Sequence, residues 1–249
     1  MRGSERRRGR LAREVPEIDA AARREALVEV YTQASVCELC PLAETRNTVV
    51  FGAGNADADL MFVGEAPGAE EDRQGLPFVG RAGAFLTELL EGIALKREDV
   101  FIANVLKCRP PGNRDPQPEE IDSCRPYLER QVELIQPRVI GTLGNFATKL
   151  LTGNPTGITR VRGTAQEHVI GGRPVYLLPL FHPAAGLRTP AVADQLRQDF
   201  EAIPGLLERA LPEGPEPLVM RGGSAGEAEE PPVSRGGAEA EAEQLGFFG

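Results

Sequence analysis

Short apolar runs alternate with helical periodicity through the middle of the chain. Leu60-Met61-Phe62-Val63-Gly64 is a continuous apolar run of strand length, the mark of a strand buried on both faces. Val100–Leu106, Arg138–Leu143 and Pro174–Leu180 repeat it. Between these runs lie helical patterns. Phe85, Leu86, Leu89 and Leu90 share one face of a helix predicted over Ala82–Glu91. A long helix is predicted over Pro118–Ile135, where Glu119 and Glu120 suit the positive end of the helix dipole. A lead-in helix is expected near Ala20–Ala34, a short one from Asn145 and a closing one over Ala191–Leu207. Strands spaced by helices predict an α/β three-layer sandwich with a central four-stranded parallel sheet. Ligands of such sheets bind beyond the carboxyl ends of the strands. Glu65–Gly68, Asn104–Arg109, Gly144-Asn145 and His182-Pro183 therefore become the places where a site is expected.

Composition divides the chain into three regions. Residues 1–35 form a basic extension running into the lead-in helix, residues 36–210 carry the fold, and residues 211–249 are rich in Glu, Gly, Pro and Ala. A segment with so few large apolar side chains cannot offset its ordering entropy, so the tail is expected to be disordered. The formal net charge is −9, of which −6 falls in residues 211–249 and +2 in residues 1–35, leaving −5 for residues 36–210. That balance argues against a broad nucleic-acid surface. A local basic face can still grip phosphates, because screening limits distant charges to about 8–10 Å. No apolar run is long enough to span a membrane, and the Arg-rich start is followed by no apolar signal region. A reducing, cytoplasmic setting and a monomer are expected.

In such a setting cysteines serve as metal ligands more often than as disulfides. The chain has four: Cys37, Cys40, Cys108 and Cys124. The Cys37-x2-Cys40 spacing brings two thiolates to one centre, while Cys108 and Cys124 are further apart. Four thiolates suit either zinc or an iron–sulfur cluster, and the spacing leaves both open.

The strand ends carry the other candidate chemistry. Gly64-Glu65-Ala66-Pro67-Gly68-Ala69-Glu70-Glu71-Asp72 leaves the first strand as a turn crowded with acids, suited to activating water or stabilising a cationic transition state. Phe78, in a Gly/Pro loop before a helix, is either a core plug or a platform for a base. Asn104 is either a satisfied polar residue or an amide facing a nucleobase edge, which it matches with both donor and acceptor. His182 ends the last strand, whereas His168 reads as a surface-loop residue.

Taken in order, these motifs resemble the family 4 uracil-DNA glycosylases, the iron–sulfur branch of that superfamily. The resemblance rests on Cys37-x2-Cys40, Gly-Glu-Ala-Pro-Gly at 64–68, Pro-Phe-Val-Gly-Arg-Ala-Gly at 77–83, the run Asn104-Val105-Leu106-Lys107-Cys108-Arg109-Pro110-Pro111, Cys124, and His182-Pro183 leading to Leu187-Arg188. It implies that the four cysteines hold a 4Fe–4S cluster and that the substrate is uracil-containing DNA. Phe78 would stack on the extruded uracil, Asn104 would bond its Watson–Crick edge, and backbone groups of Gly64 and Ala66 would contact it. His182 would stabilise charge on O2, Glu65 would position the attacking water, and Glu71 would lie near the C5 edge. Leu187 would act as a wedge, with Arg188 and Arg109 as phosphate contacts. One stretch departs from the family pattern: His-Pro-Ala-Ala-Gly-Leu-Arg at 182–188 stands where the family commonly shows His-Pro-Ser followed by Leu-Leu-Arg.

Two other readings compete. A protein that captures uracil covalently through a histidine in an inserted basic loop is disfavoured, because Lys107–Ser123 contains no histidine. A structural iron–sulfur module, like domains fused to some phage polymerases, is disfavoured by Glu65, Phe78, Asn104 and His182 occurring together. Gln244-Leu245-Gly246-Phe247-Phe248 at the end of the acidic tail resembles the short motif that binds the bacterial DNA sliding clamp. That resemblance implies a clamp partner through Gln244, Leu245, Phe247 and Phe248.

Overall fold

The computed structural model describes residues 19–212. The Arg-rich start and the clamp-like motif lie outside the described residues. In chain order the elements are α1 (Ala20–Ser35), β1 (Ala53–Gly54), β2 (Leu60–Gly64), α2 (Ala69–Gln74), α3 (Arg81–Glu91), β3 (Phe101–Asn104), α4 (Pro118–Ile135), β4 (Val139–Leu143), α5 (Asn145–Thr152), α6 (Ile158–Val161), β5 (Gln166–Ile170), β6 (Arg173–Leu180), α7 (Pro183–Gly186), α8 (Pro190–Phe200) and α9 (Ile203–Leu207).

The four predicted strands form the parallel centre of the sheet, in the order β3-β2-β4-β6. The sheet itself has six strands among the described residues and is mixed, which corrects the four-stranded parallel expectation. β1 pairs antiparallel with β3 at one edge, and β5 pairs antiparallel with β6 at the other. β1 is two residues long, too short for any pattern to register. β5 carries His168 opposite Val175, so His168 belongs to an edge strand and not to a loop. Its Gly171-Gly172 turn, with both φ angles positive, closes the β5–β6 hairpin.

The two-residue period of the strands assigns side chains to two cores. Met61, Val63, Phe101, Ala103 and Ile140 face the layer of α1 and α4, where Leu27, Val30, Leu128 and Val132 meet them. Leu60, Phe62, Ile102, Val139 and Leu143 face the layer of α3, α8 and α9, filled by Phe85, Leu86, Leu196, Phe200 and Ile203. Burial on both faces explains why the strands are continuously apolar. The predicted closing helix is broken in two after Phe200, and Pro204 sits in the first turn of the second piece.

The connections locate the site. From β2 the chain crosses by α3 to β3 on one side. It then returns by α4, on the opposite face, to β4 on the other side of β2. The strand order reverses there, and a crevice opens at the carboxyl ends of β2 and β4. Beyond Asn104 the chain keeps running beside the segment after β2. The Val105 N–H donates to the Gly64 carbonyl at 2.9 Å and the Leu106 N–H to the Glu65 carbonyl at 3.0 Å.

Candidate active site

Two adjoining cavities open at that edge. The smaller, about 360 Å³, is lined by Glu65, Ala66, Gly68, Glu71, Phe78, Asn104 and His182, together with Asn113 and Arg114. The larger, about 610 Å³, shares Glu65 and His182 and adds Asp115, Gly144, Asn145, Phe146 and Lys149. Five residues singled out as side-chain candidates, on four separate stretches of sequence, therefore converge on one space: Glu65, Glu71, Phe78, Asn104 and His182. Gly64, in neither lining, lies directly against two of these side chains. A Cβ there would stand 2.4 Å from Asn104 Oδ1 and 3.0 Å from the Phe78 ring, so only glycine lets the amide and the ring approach this backbone.

Phe78 is held in a left-handed conformation, φ 52°, which is costly for a bulky residue and marks a turn fixed by its surroundings. Glu71 Oε1 accepts the Val79 N–H at 3.2 Å, and Arg97 donates to the Pro77 carbonyl at 2.7 Å. Together they clamp both sides of the turn. The acid-rich stretch after β2 is thus the helix α2, not an open turn, and it presents Glu71 to the Phe78 loop. Asp72, on the same helix, is buried and accepts from the Asn47 main chain at 2.9 Å and side chain at 2.5 Å. That contact ties α2 to the segment after the cysteine knuckle.

His182 Nδ1 accepts the Ala184 N–H at 3.1 Å, which leaves the ring proton of the neutral form on Nε2. Burial pushes its pKa below the ordinary value; Glu71 opposes that shift and Arg188 adds to it. His182 is therefore a neutral donor at physiological pH. Its ring lies 5.6 Å from that of Phe78, at 26°. Burial, with a further push from Asp115, raises the pKa of Glu65. A partly desolvated carboxylate and a neutral imidazole donor then face one cavity, an arrangement suited to a reaction that separates charge.

Leu187 and Arg188 follow the short α7 at the rim, and Leu187 is among the exposed large apolar residues. Gly186 answers the departure in this stretch. A Cβ there would lie 2.6 Å from the Phe85 ring and 3.3 Å from the Ala193 backbone, so a larger side chain has no room between α3 and α8. Arg109 stands outside both cavity linings and bonds Asn113 Oδ1 at 2.7 Å.

The four cysteines gather behind the site, between the knuckle after α1, the segment after β3, and α4. Cys108 lies within electrostatic reach of Cys124 and Cys40, and Cys124 of Cys40 and Cys37. Burial raises the thiols of Cys40, Cys108 and Cys124, that of Cys108 to about 11. Arg46 bridges the Cys37 carbonyl at 2.6 Å and Cys108 Sγ at 3.6 Å. The Lys107 N–H lies 3.5 Å from Cys124 Sγ. Among the described residues no group of three or more His, Cys, Asp or Glu side chains is gathered closely enough to hold a single metal ion.

Sequence reading missed Arg97, Asn113, Arg114, Asp115 and Lys149. Asp115 and Arg114 sit in an irregular stretch after β3 with no periodic signal. Arg114 pairs with the buried Glu120 of α4 at 2.5 Å, a contact between a loop and a helix that spacing does not announce.

Comparison with known proteins gives a consistent result. The model of the uracil DNA glycosylase superfamily matches residues 51–202. A Type-4 uracil-DNA glycosylase of Archaeoglobus fulgidus is 45% identical over 192 residues, covering 76% of this chain and 96% of its own. Type-4 enzymes of Saccharolobus solfataricus and Thermotoga maritima are 46% and 48% identical over 172 and 167 residues. The matches cover 67% and 66% of this chain, and 80% and 85% of theirs.

Proposed function

This chain belongs to the uracil DNA glycosylase superfamily, and we propose that it hydrolyses the N-glycosidic bond of uracil in DNA at the crevice beyond β2 and β4. The observation that carries the proposal is the convergence of Glu65, Phe78, Asn104 and His182 on one cavity at that sheet edge. Uracil must leave the base stack to reach it, at a cost of a few kcal/mol. Phe78 takes the base face, and Asn104 pairs with the Watson–Crick edge above Gly64. As the bond between C1′ and N1 breaks, its electron pair passes to uracil and the sugar becomes cationic. Nε2–H of His182 meets the charge on O2. Glu65 orients the water whose oxygen bonds to C1′ and accepts the proton that the water loses, and before that its carboxylate steadies the cationic sugar. Glu71 holds the Phe78 turn through Val79. Leu187 takes the space left by the base, while Arg188 and Arg109 meet phosphates.

The donor set suits a four-iron cluster, which takes one thiolate for each iron: Cys108 and Cys124 each lie within electrostatic reach of cysteines of the knuckle. A 4Fe–4S cluster held by Cys37, Cys40, Cys108 and Cys124 would supply thiolate–iron bonds that cross-link the knuckle, the segment after β3, and α4. We place the catalytic domain at residues 36–210, with 1–35 as a basic lead-in whose helix α1 packs into the core of that domain and 211–249 as a tether. Its Gln244, Leu245, Phe247 and Phe248 would bind a sliding clamp. Removing residues 244–249 should then abolish co-elution with the clamp and leave activity on free oligonucleotides unchanged.

The deciding experiment is excision from a uracil-containing oligonucleotide by anaerobically purified protein, with Asn104→Ala alongside. Repeated turnover to abasic sites, lost in the variant, is the expected result. Stoichiometric capture without turnover would overturn it.

A further inference from the structure

Lys107 is buried without a carboxylate partner among its hydrogen bonds. It is 1% exposed, and its Nζ donates to the Asn104 carbonyl at 2.8 Å and to Gln131 Oε1 at 2.6 Å. Gln131, also fully buried on α4, donates in turn to the Phe51 carbonyl at 2.9 Å. The Lys107 carbonyl accepts the Val50 N–H at 2.8 Å, and its ammonium stands 5.9 Å over the Phe51 ring. Burying an amine costs free energy unless its donors are taken. An apolar side chain would fill the same space without that cost, so packing alone does not explain a lysine here.

Its contacts do. β3 ends at Asn104, the residue whose amide faces the cavity, and the chain beyond it stays beside the segment after β2. Strand pairing holds the Asn104 neighbours through Val105 and Leu106. The Asn104 carbonyl is instead held from within by an ammonium three residues later on the same turn. We infer that Lys107 is a positioning residue for base recognition: it fixes the Asn104 main chain against α4 so that the amide meets the uracil edge in one orientation. The inference rests on the assignment of Asn104 as the base-reading residue. A misplacement of about 1 Å in such a group can cost about a hundredfold, which gives a strut far from the base a measurable effect.

Lys107→Met keeps the volume and removes the donors. In the cluster-loaded protein, it should raise the inhibition constant of free uracil at least about tenfold, while binding of DNA carrying a tetrahydrofuran abasic site stays within about twofold. Iron and sulfide content should match the parent. Gln131→Met breaks the same network on the far side but leaves the bond to Asn104. It should lower the melting temperature without changing uracil inhibition. Should the Met variant not fold, Lys107→Gln, shorter and uncharged, should show the same selective loss of uracil inhibition. Equal weakening of uracil and abasic-site binding in any folded Lys107 variant would reduce the residue to a structural role and overturn the inference. So would unchanged uracil inhibition. A parent protein that does not excise uracil at all would instead refute the proposed function.

Discussion

The pKa of Glu65 is raised and that of His182 lowered from their ordinary values, and the proposed chemistry needs Glu65 ionised and His182 neutral. Because burial and Asp115 raise the carboxyl of Glu65, the active ionised form is lost at a higher pH than an exposed glutamate would allow. Asp115→Asn removes the smaller of the two causes. Its acidic limb in kcat/KM should move to lower pH, and an unmoved limb would assign that limb to another group. The same shift bears on stability. A carboxyl whose folded pKa is raised favours the fold below its unfolded value, and that gain is lost as pH rises through the folded value. Glu65→Gln should therefore melt no lower than the parent at pH 7 while losing activity. His182→Ala removes the Nε2 donor and should cost about 10²–10³ in kcat, the range for loss of an oxyanion donor. Glu65, Phe78, Asn104 and His182 could all be picked from the sequence because strand ends and motif neighbours flag them. Asp115 could not, since its effect comes only from facing Glu65 across a cavity.

Elements place these residues through buried polar contacts as much as through apolar ones. Asp72 fastens α2, and with it Glu71, to the segment that leaves the cysteine knuckle. Asp72→Ala strips the partner from buried donors and should cost about 2–3 kcal/mol by denaturant titration. Activity should fall as the Phe78 turn loosens. Gly186 lets α7 lie between α3 and α8, so Gly186→Leu, the residue common in the resembling family, should cost about 1–3 kcal/mol from overpacking. A variant as stable as the parent would show that α7 can shift outward. The major helices and central strands were legible because their burial imposes a period. α2 was not: the residue it buries is the acid Asp72 and its neighbours are Gly and Pro, so its six residues carry no apolar stripe.

At the scale of the molecule, an acidic chain must grip a polyanion with few local cations. Binding to uracil-containing DNA should weaken with salt, and Arg188→Ala should lower the magnitude of the log–log slope by about one. An unchanged slope would move the phosphate contact elsewhere on the rim. Removing the proposed 4Fe–4S cluster should release the knuckle from α4 and lower the melting temperature, and recovery on reconstitution would be read by the same melt. The sequence by itself determined the α/β class, the four parallel strands, the cysteine set and the strand-end residues, because apolar period and strand-end position are local properties of the chain. Tertiary structure alone decided the two antiparallel edge strands, the approach of Asp115 to Glu65, the tautomer of His182 and the strut from Lys107 to Asn104. The first two depend on which distant segments meet in the folded sheet, and the last two on the backbone course that burial fixes at the strand ends; neither spacing nor composition encodes either.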